Sequence, residues 1–440
     1  MTKTYDLIIV GGGPAGLMAA RVAGENGLKT ALLERKTNIT KILRIDGGVL
    51  SPLNEYTFGQ TVTFNPGAKR IGVPVCGFSI TYDGPFQHMY GFTIYSPGGN
   101  KITFGDRAEQ KKDPLKGRVA VALDKELMLQ GLLADAEQAG VDIFPGTNVT
   151  AVEKAGPAVR VTGNGETFQG TFVIAADGVN SRLARLMGMN RDRKFYATHP
   201  ECAWLLEDIE IPDIEGISFI FTSYGSFYVS SSCRPGHYHV GISAFKPAGD
   251  FPALLNRFVH EDPVYSPWFR GARKTGEITC VINMLEPMQE PFKDNVLFIG
   301  DAAWLMEVTN VAAMCCGWKA ANAITLALLD GKPGRDGIGS YFDWWDTWFY
   351  GPYGQAEFKP FELQEFLGPE DIDYLASLVS EPLPQTMDFY KLVSTLGTTY
   401  GELFPVIQEQ RPDVMEKLME IVNRMDEAEA AARKAGFPNR

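Results

Sequence analysis

Between Gly11 and Gly16 the chain reads GGGPAG, and these are the residue types of a phosphate-binding turn. Gly11, Gly13 and Gly16 fit the spacing G-x-G-x-x-G. The first allows a tight turn, the second lets backbone approach a pyrophosphate, and the third lets a helix pack closely on the preceding strand. Pro14 and Ala15 stand at the start of that helix, whose N–H groups and partial positive charge favour phosphate. Glu34, 18 residues after Gly16, can accept both ribose hydroxyls of an adenosine and would repel a 2′-phosphate, which favours FAD or NAD over NADP. Arg35 is next to it. Arg44 suits either the cofactor pyrophosphate or a substrate carboxylate. Two more apolar runs end in an acid beside a glycine: TFVIAADG at 171–178, with Asp177 and Gly178, and NVLFIGDAA at 295–303, with Gly300, Asp301 and Ala302.

The elements around these residues read as alternating β and α. Asp6–Val10 is a short β-branched strand, Leu17–Asn26 a helix with Gly27 as its C-cap, and Thr30–Leu33 a strand that delivers Glu34. Residues 123–140 form a second helix, followed by strands at VDIFPG and NVTAVEKA. No second G-x-G-x-x-G occurs; GNGETFQG at 163–170 has the wrong spacing and reads as a hairpin turn. The blocks 1–55, 103–185 and 275–330 are thus assigned to a discontinuous nucleotide-binding domain. Blocks 56–102 and 186–274 are strand-rich, as in AWLLEDIEI, ISFIFTSYG, SFYVSSSC and HYHVGISAF, and are assigned to a substrate-side antiparallel sheet. Residues 331–440 read as a helical region, with an aromatic cluster at 341–353 and a last helix that starts near Pro412. The fold class is α/β: a Rossmann-like domain interleaved with an antiparallel sheet domain.

The chain has 440 residues, 45% hydrophobic and 21% charged, with a net charge of −12. That size supports more than one domain, and the acidic balance argues against a nucleic-acid partner. Six cysteines without short paired spacings fit reduced thiols in a cytoplasm and give no metal pattern. No apolar run of roughly 18 residues is evident, so no transmembrane helix is expected. Contact with a membrane surface stays open, with the aromatic cluster as one candidate for it and a domain core as the other.

The three glycine–acid motifs resemble the glutathione-reductase-type flavoprotein superfamily, in the branch that holds p-hydroxybenzoate-type hydroxylases and geranylgeranyl reductases. The resemblance implies FAD, with Asp177 and Gly178 supporting the cofactor region, Asp301 on ribityl or ribose oxygens, and the backbone near Val149 along the adenine. SRLARLMG, ALDKEL and HVGIS are similar to the geranylgeranyl reductase version. Trp304 follows GDAA where the hydroxylases carry His, a departure from the hydroxylase version. From the family pattern the chain departs in that WLMEVTNV lacks the usual proline and glycines, and KILRIDGGVLS has no thiol. The leading implied activity is reduction of a carbon–carbon double bond in a hydrophobic, isoprenoid-like or other apolar substrate. Asp46, Tyr228 and His239 are the candidate acids, and NAD(P)H, a ferredoxin or another flavoprotein is the external electron donor. An NAD(P)H-dependent hydroxylase and a flavoprotein-fold binding protein are the alternatives. The adjacent Cys315 and Cys316 read as buried packing.

Overall fold

The structure is a computed structural model that describes residues 2–44, 48–50, 62–74, 76–212, 214–244, 249–304, 310–350 and 363–434. Its central sheet has the order β11 (Asp142–Pro145), β2 (Thr30–Glu34), β1 (Lys3–Val10), β14 (Glu166–Ala175), β13 (Ala158–Gly163) and β12 (Val149–Ala155). The strand β21 (Val296–Phe298) runs parallel beside the end of β14, and β20 (Phe292–Lys293) folds back onto it. Residues 7–9 and 31–33 are fully buried, as expected for parallel strands covered on both faces. The expected hairpin joins β13 to β14 through Asn164 (φ 50°) and Gly165 (φ 79°), the two positive dihedrals of a type I′ turn.

Helices α1 (Pro14–Glu25), α4 (Lys125–Gln138) and α7 (Val311–Leu329) cover this sheet; Asp124 caps α4 by accepting the Leu127 N–H. The shorter helices are α2 (Arg107–Gln110), α3 (Pro114–Gly117) and α5 (Arg182–Leu186). Helix α7 corrects one expectation. It is long and apolar enough, at a mean hydropathy of 1.4, to cross a membrane, yet 72% of its apolar window is buried inside the fold. Small residues, Ala, Gly and Cys, let it lie against α1: a Cβ on Gly317 would stand 2.2 Å from the Ala15 carbonyl oxygen.

A second sheet has the order β19 (Arg273–Leu285), β15 (Phe195–Glu207), β18 (His237–Ser243), β17 (Gly225–Ser231), β16 (Ile217–Thr222), β8 (Phe92–Tyr95) and β9 (Lys101–Thr103). All neighbours are antiparallel except β16 and β8, which run parallel. Residues 273–285 therefore belong to this second sheet, along the whole of β15, before the chain returns to the central sheet. Two small sheets complete the strands: β3 (Val49–Leu50), β10 (Ala120–Leu123) and β7 (Phe86–Met89); and β4 (Thr63–Asn65), β5 (Arg70–Val73) and β6 (Phe78–Thr81).

Alternation divides the second sheet into two faces. One face, with Trp204, Phe227 and Ile242, packs on α6 (Phe251–His260), where the Phe227 and Phe258 rings stack at 4.2 Å. On the other face, Phe92, Ile94, Ile217 and Phe219 are covered by the C-terminal region through Met387 and Leu392. The rest of that face, on β17, β18, β15 and β19, carries Tyr228, Gly241, Glu201 and Cys280. The C-terminal helices are α8 (Gly339–Trp345), α9 (Pro369–Ser377), α10 (Phe389–Gln410) and α11 (Pro412–Lys434). Tyr341, Phe342, Trp344 and Trp345 are core residues, with the Trp345 indole donating to the Met288 carbonyl at 2.9 Å. The aromatic run is a core element over 341–345; residues 351–353 lie outside the described residues.

Candidate active site

The glycine turn leaves β1 at Val10 and enters α1 at Pro14. Gly11 has φ 112°, and a Cβ there would meet the Ala176 carbonyl oxygen at 2.2 Å; on Gly16 it would meet the Gly11 oxygen at 1.9 Å. Both glycines are closed in by protein. A Cβ on Gly13 would meet nothing within 4 Å, so the middle glycine faces open space. No side chain caps α1, which leaves its first-turn N–H groups to a ligand. Glu34, 7% exposed, accepts the Gly12 N–H at 2.7 Å and the Lys36 N–H at 2.9 Å. Its remaining lone pairs can take ribose hydroxyls. Arg35 is exposed just beyond the strand. This turn, its uncapped helix and its acid fit the ADP half of a dinucleotide.

The Asp177–Gly178 turn crosses the mouth of the glycine turn, tied by the Ala176 N–H to the Val10 carbonyl at 2.8 Å. Asp177 accepts the Ser181 hydroxyl at 2.6 Å and the N–H groups of Arg182 and Leu183 at 2.7 and 3.0 Å, so it fixes the start of α5. Burial raises its carboxyl above the ordinary range against those donors. Gly178 has φ 85° and open space at its Cβ position. Arg182, which motif reading passed over, donates to the Asn148 side chain at 2.9 Å and the Val149 carbonyl at 3.3 Å, and so anchors the Val149 backbone. The signal for it was its place one residue after the capping Ser181.

Gly300 (φ 57°), Asp301 and the buried Ala302 form a 3-10 turn after β21, and a Cβ on Gly300 would come within 3.1 Å of the Ala15 Cβ. The Gly-Asp turn and the head of α1 therefore meet. Arg44 reaches across from the loop after β2 to Asp301, with 3.5 Å between Nη2 and Oδ2. Behind the turn Cys315 and Cys316 are buried in the core, and burial pushes the Cys316 thiol up to about 12, so the pair is packing. Asp46 and residues 305–309 of WLMEVTNV lie outside the described residues.

The second sheet contributes a polar cluster. Tyr228 on β17 donates to Glu201 on β15 at 2.5 Å, and the Cys280 thiol on β19 approaches the other Glu201 oxygen at 3.7 Å. Burial and the Glu201 charge raise the Tyr228 phenol well above its ordinary value. The same two causes push the Cys280 thiol up to about 12, while the Arg44 charge opposes them. Arg44 thus lies between Asp301 and the sheet. His239 shares the face of Gly241 and Tyr228, in register with Leu205 and Ser230. Glu201, Cys280 and Gly241 were missed by motif reading. Their signal was an acid and a glycine standing in the middle of otherwise apolar or aromatic strands.

Residues 6–52 match the family model described as "FAD binding domain", and residues 117–255 match "FAD dependent oxidoreductase". A digeranylgeranylglycerophospholipid reductase of Methanothrix thermoacetophila is 24% identical over 417 residues, 89% of this chain and 95% of the relative. The reductase of the same name from Methanocaldococcus jannaschii is 22% identical over 93% of this chain and 99% of its own. Among solved structures, a geranylgeranyl bacteriochlorophyll reductase-like protein from Thermoplasma acidophilum superposes with a TM-score of 0.67 at 20% identity, covering 96% of this chain and all of that one. The chain is an FAD-dependent oxidoreductase, similar over nearly its whole length to geranylgeranyl reductase-like proteins. A p-nitrophenol 4-monooxygenase from Pseudomonas putida shares the fold at a TM-score of 0.58 and 14% identity, covering 97% of this chain and 99% of that one. The cofactor of this flavoprotein is FAD.

Proposed function

We propose that this flavoprotein reduces a carbon–carbon double bond of a hydrophobic, isoprenoid-like substrate, using electrons from an external donor such as NAD(P)H, a ferredoxin or another flavoprotein. The observation that carries the reading is the half-buried sheet face on which Leu205, Ile278 and Ile282 flank the Glu201 cluster. Such a face suits an apolar chain, and the full-length likeness to reductases named for digeranylgeranylglycerophospholipid supports the same class. Bound FAD in its reduced form would supply a hydride. The chain's own part is to hold the cofactor through the glycine turn, Glu34 and Asp301, to hold the alkene against the sheet, to exclude water and to place a proton. Gly11, Gly13, Pro14, Ala15, Gly16, Arg35, Arg44, Val149, Asp177, Gly178, Gly300 and Ala302 complete the residues that would hold the cofactor.

The test is anaerobic. Photoreduced holoprotein mixed with polyprenyl and smaller alkenes should be reoxidised stoichiometrically, with one double bond reduced per flavin. Oxygen uptake and NAD(P)H oxidation stimulated by an aromatic compound, with no alkene-driven reoxidation, would instead make it a hydroxylase.

A further inference from the structure

We propose that Tyr228 and Glu201 deliver the proton in this reduction, with Tyr228 the catalytic residue that touches the alkene and Glu201 the proton store behind it. The inference rests on the alkene-reduction reading and names the acid which that reading leaves open.

Three features of the fold carry it. The first is place: Arg44 contacts Asp301 and bears electrostatically on Cys280, so the cluster stands toward the Gly-Asp end of the site, away from Glu34 and the adenosine end. The second is construction. Tyr228 reaches from β17 across the whole width of β18 to a carboxylate on β15, and it does so over Gly241, where a Cβ would lie 2.3 Å from its ring. Any side chain at 241 on that face would bar the path. A glycine in mid-strand weakens a sheet, and here it opens the one route by which these two groups meet. The third is chemistry: a phenol buried beside a carboxylate keeps its proton, so it can act as an acid only when its proton is replaced at the same moment.

Glu201 supplies the replacement. When its carboxyl is protonated, its O–H can donate to the phenol oxygen, which turns the Tyr228 O–H toward the substrate. The alkene π bond then breaks; one carbon takes the hydride and the other takes the Tyr228 proton. The Glu201 proton passes to the phenol oxygen and leaves a carboxylate. Tyr228 again donates to that carboxylate, which is the arrangement seen in the structure, and solvent reprotonates Glu201 for the next turnover. The titratable and charged groups that face Glu201, among the described residues, are Tyr228 on β17, Cys280 on β19, His239 on β18, His199 on its own strand, and Arg44 from the loop after β2.

The experiment follows single-turnover reoxidation of the photoreduced holoprotein by the best alkene, in D2O, for wild type, Y228F, E201Q and E201D. Y228F and E201Q should slow alkene-driven reoxidation at least about a hundredfold, while flavin content, visible spectrum and reoxidation by oxygen stay as in wild type. E201D should recover most of the loss. The wild-type rate should fall as pH rises, and E201Q should lack that fall. At the carbon that takes the proton, wild-type product should have a single configuration, with both configurations formed in Y228F. Wild-type rates and a single configuration at that carbon in Y228F and E201Q would overturn the assignment and leave the reductase reading standing. If no alkene reoxidises the wild type, both fall together. If Y228F or E201Q loses its flavin, E201D and the wild-type pH profile decide the matter: a flat profile would overturn the proposal.

Discussion

Gly13 and Gly16 lie three residues apart in one turn, yet a methyl group would meet different surroundings at each. At Gly16 it would strike the Gly11 carbonyl oxygen at 1.9 Å; at Gly13, with φ −84°, it would meet no protein atom within 4 Å. G16A should therefore destabilise the apoprotein by about 1–3 kcal/mol or more. G13A should leave the unfolding free energy within about 0.5 kcal/mol of wild type, while FAD affinity drops, because the added methyl enters the space proposed for the pyrophosphate. Apoprotein unfolding and flavin-fluorescence titration separate the two effects. His199 gives a pH-dependent prediction. Burial lowers its pKa from the ordinary 6.5, so the folded chain takes up that proton later than the unfolded chain. Stability should thus be lost as pH falls from about 6.5 toward the lowered value, by at most about 1.4 kcal/mol per pH unit. Urea midpoints of H199Q measured at pH 7.5 and 5.5 should shift less than those of wild type. The spacing of the glycines and Glu34 was legible because they act within one βαβ unit. Arg182 was harder to read, since its acceptors stand 33 and 34 residues away.

At the scale of elements, α7 is the member that joins cofactor binding to the core. Gly317 sits against Ala15, where an added Cβ would be 2.2 Å from the carbonyl oxygen and 3.0 Å from the Ala19 nitrogen. G317A should push α7 from α1, destabilise the protein by about 1–3 kcal/mol or more, and weaken FAD retention as well, because Ala15 lies in the first turn of the helix proposed to face the pyrophosphate. A thermal melt with and without added FAD would detect both losses, and unchanged FAD retention would dissociate α7 from the cofactor site. Strand β19 is the element whose neighbours the sequence did not reveal. Its alternating half-buried and exposed residues mark a strand, but only pairing with β15 assigns it to the substrate-side sheet.

At the scale of the whole molecule, the C-terminal region closes the substrate-side sheet. Asp373 accepts from Ser96 and the Gly98 N–H, Gln364 donates to the Thr222 carbonyl, and Leu383 pairs with Phe104. Within that region, the buried Asp371 accepts Arg411 at 2.8 Å, Lys417 at 2.6 Å and the Gly368 N–H at 2.9 Å, which binds α9 to α10 and α11. D371A should loosen these helices by about 1–3 kcal/mol. Limited proteolysis should then cut within residues 363–434 faster than in wild type, with flavin content unchanged; equal cleavage rates would show that Asp371 does not hold them.

The nucleotide half was determined by the sequence itself. Turn, helix and acid are consecutive, and local backbone geometry together with helix length places Gly11, Gly13, Gly16 and Glu34 with little help from the rest of the fold. The Asp301 turn was also legible, because a strand-ending Gly-Asp is a local signal. The Glu201–Tyr228–Cys280 cluster was not. Its members are 27 and 79 residues apart, on three strands, and they face one another only because pairing places Glu201 opposite both Ser243 and Cys280 and places Tyr228 opposite Gly241. A slip of one residue would turn each to the other side of the sheet. Strand identity is written in side-chain pattern, but register is set by the packing of both faces together, and so the tertiary structure alone decided that Glu201 faces Tyr228 and Cys280.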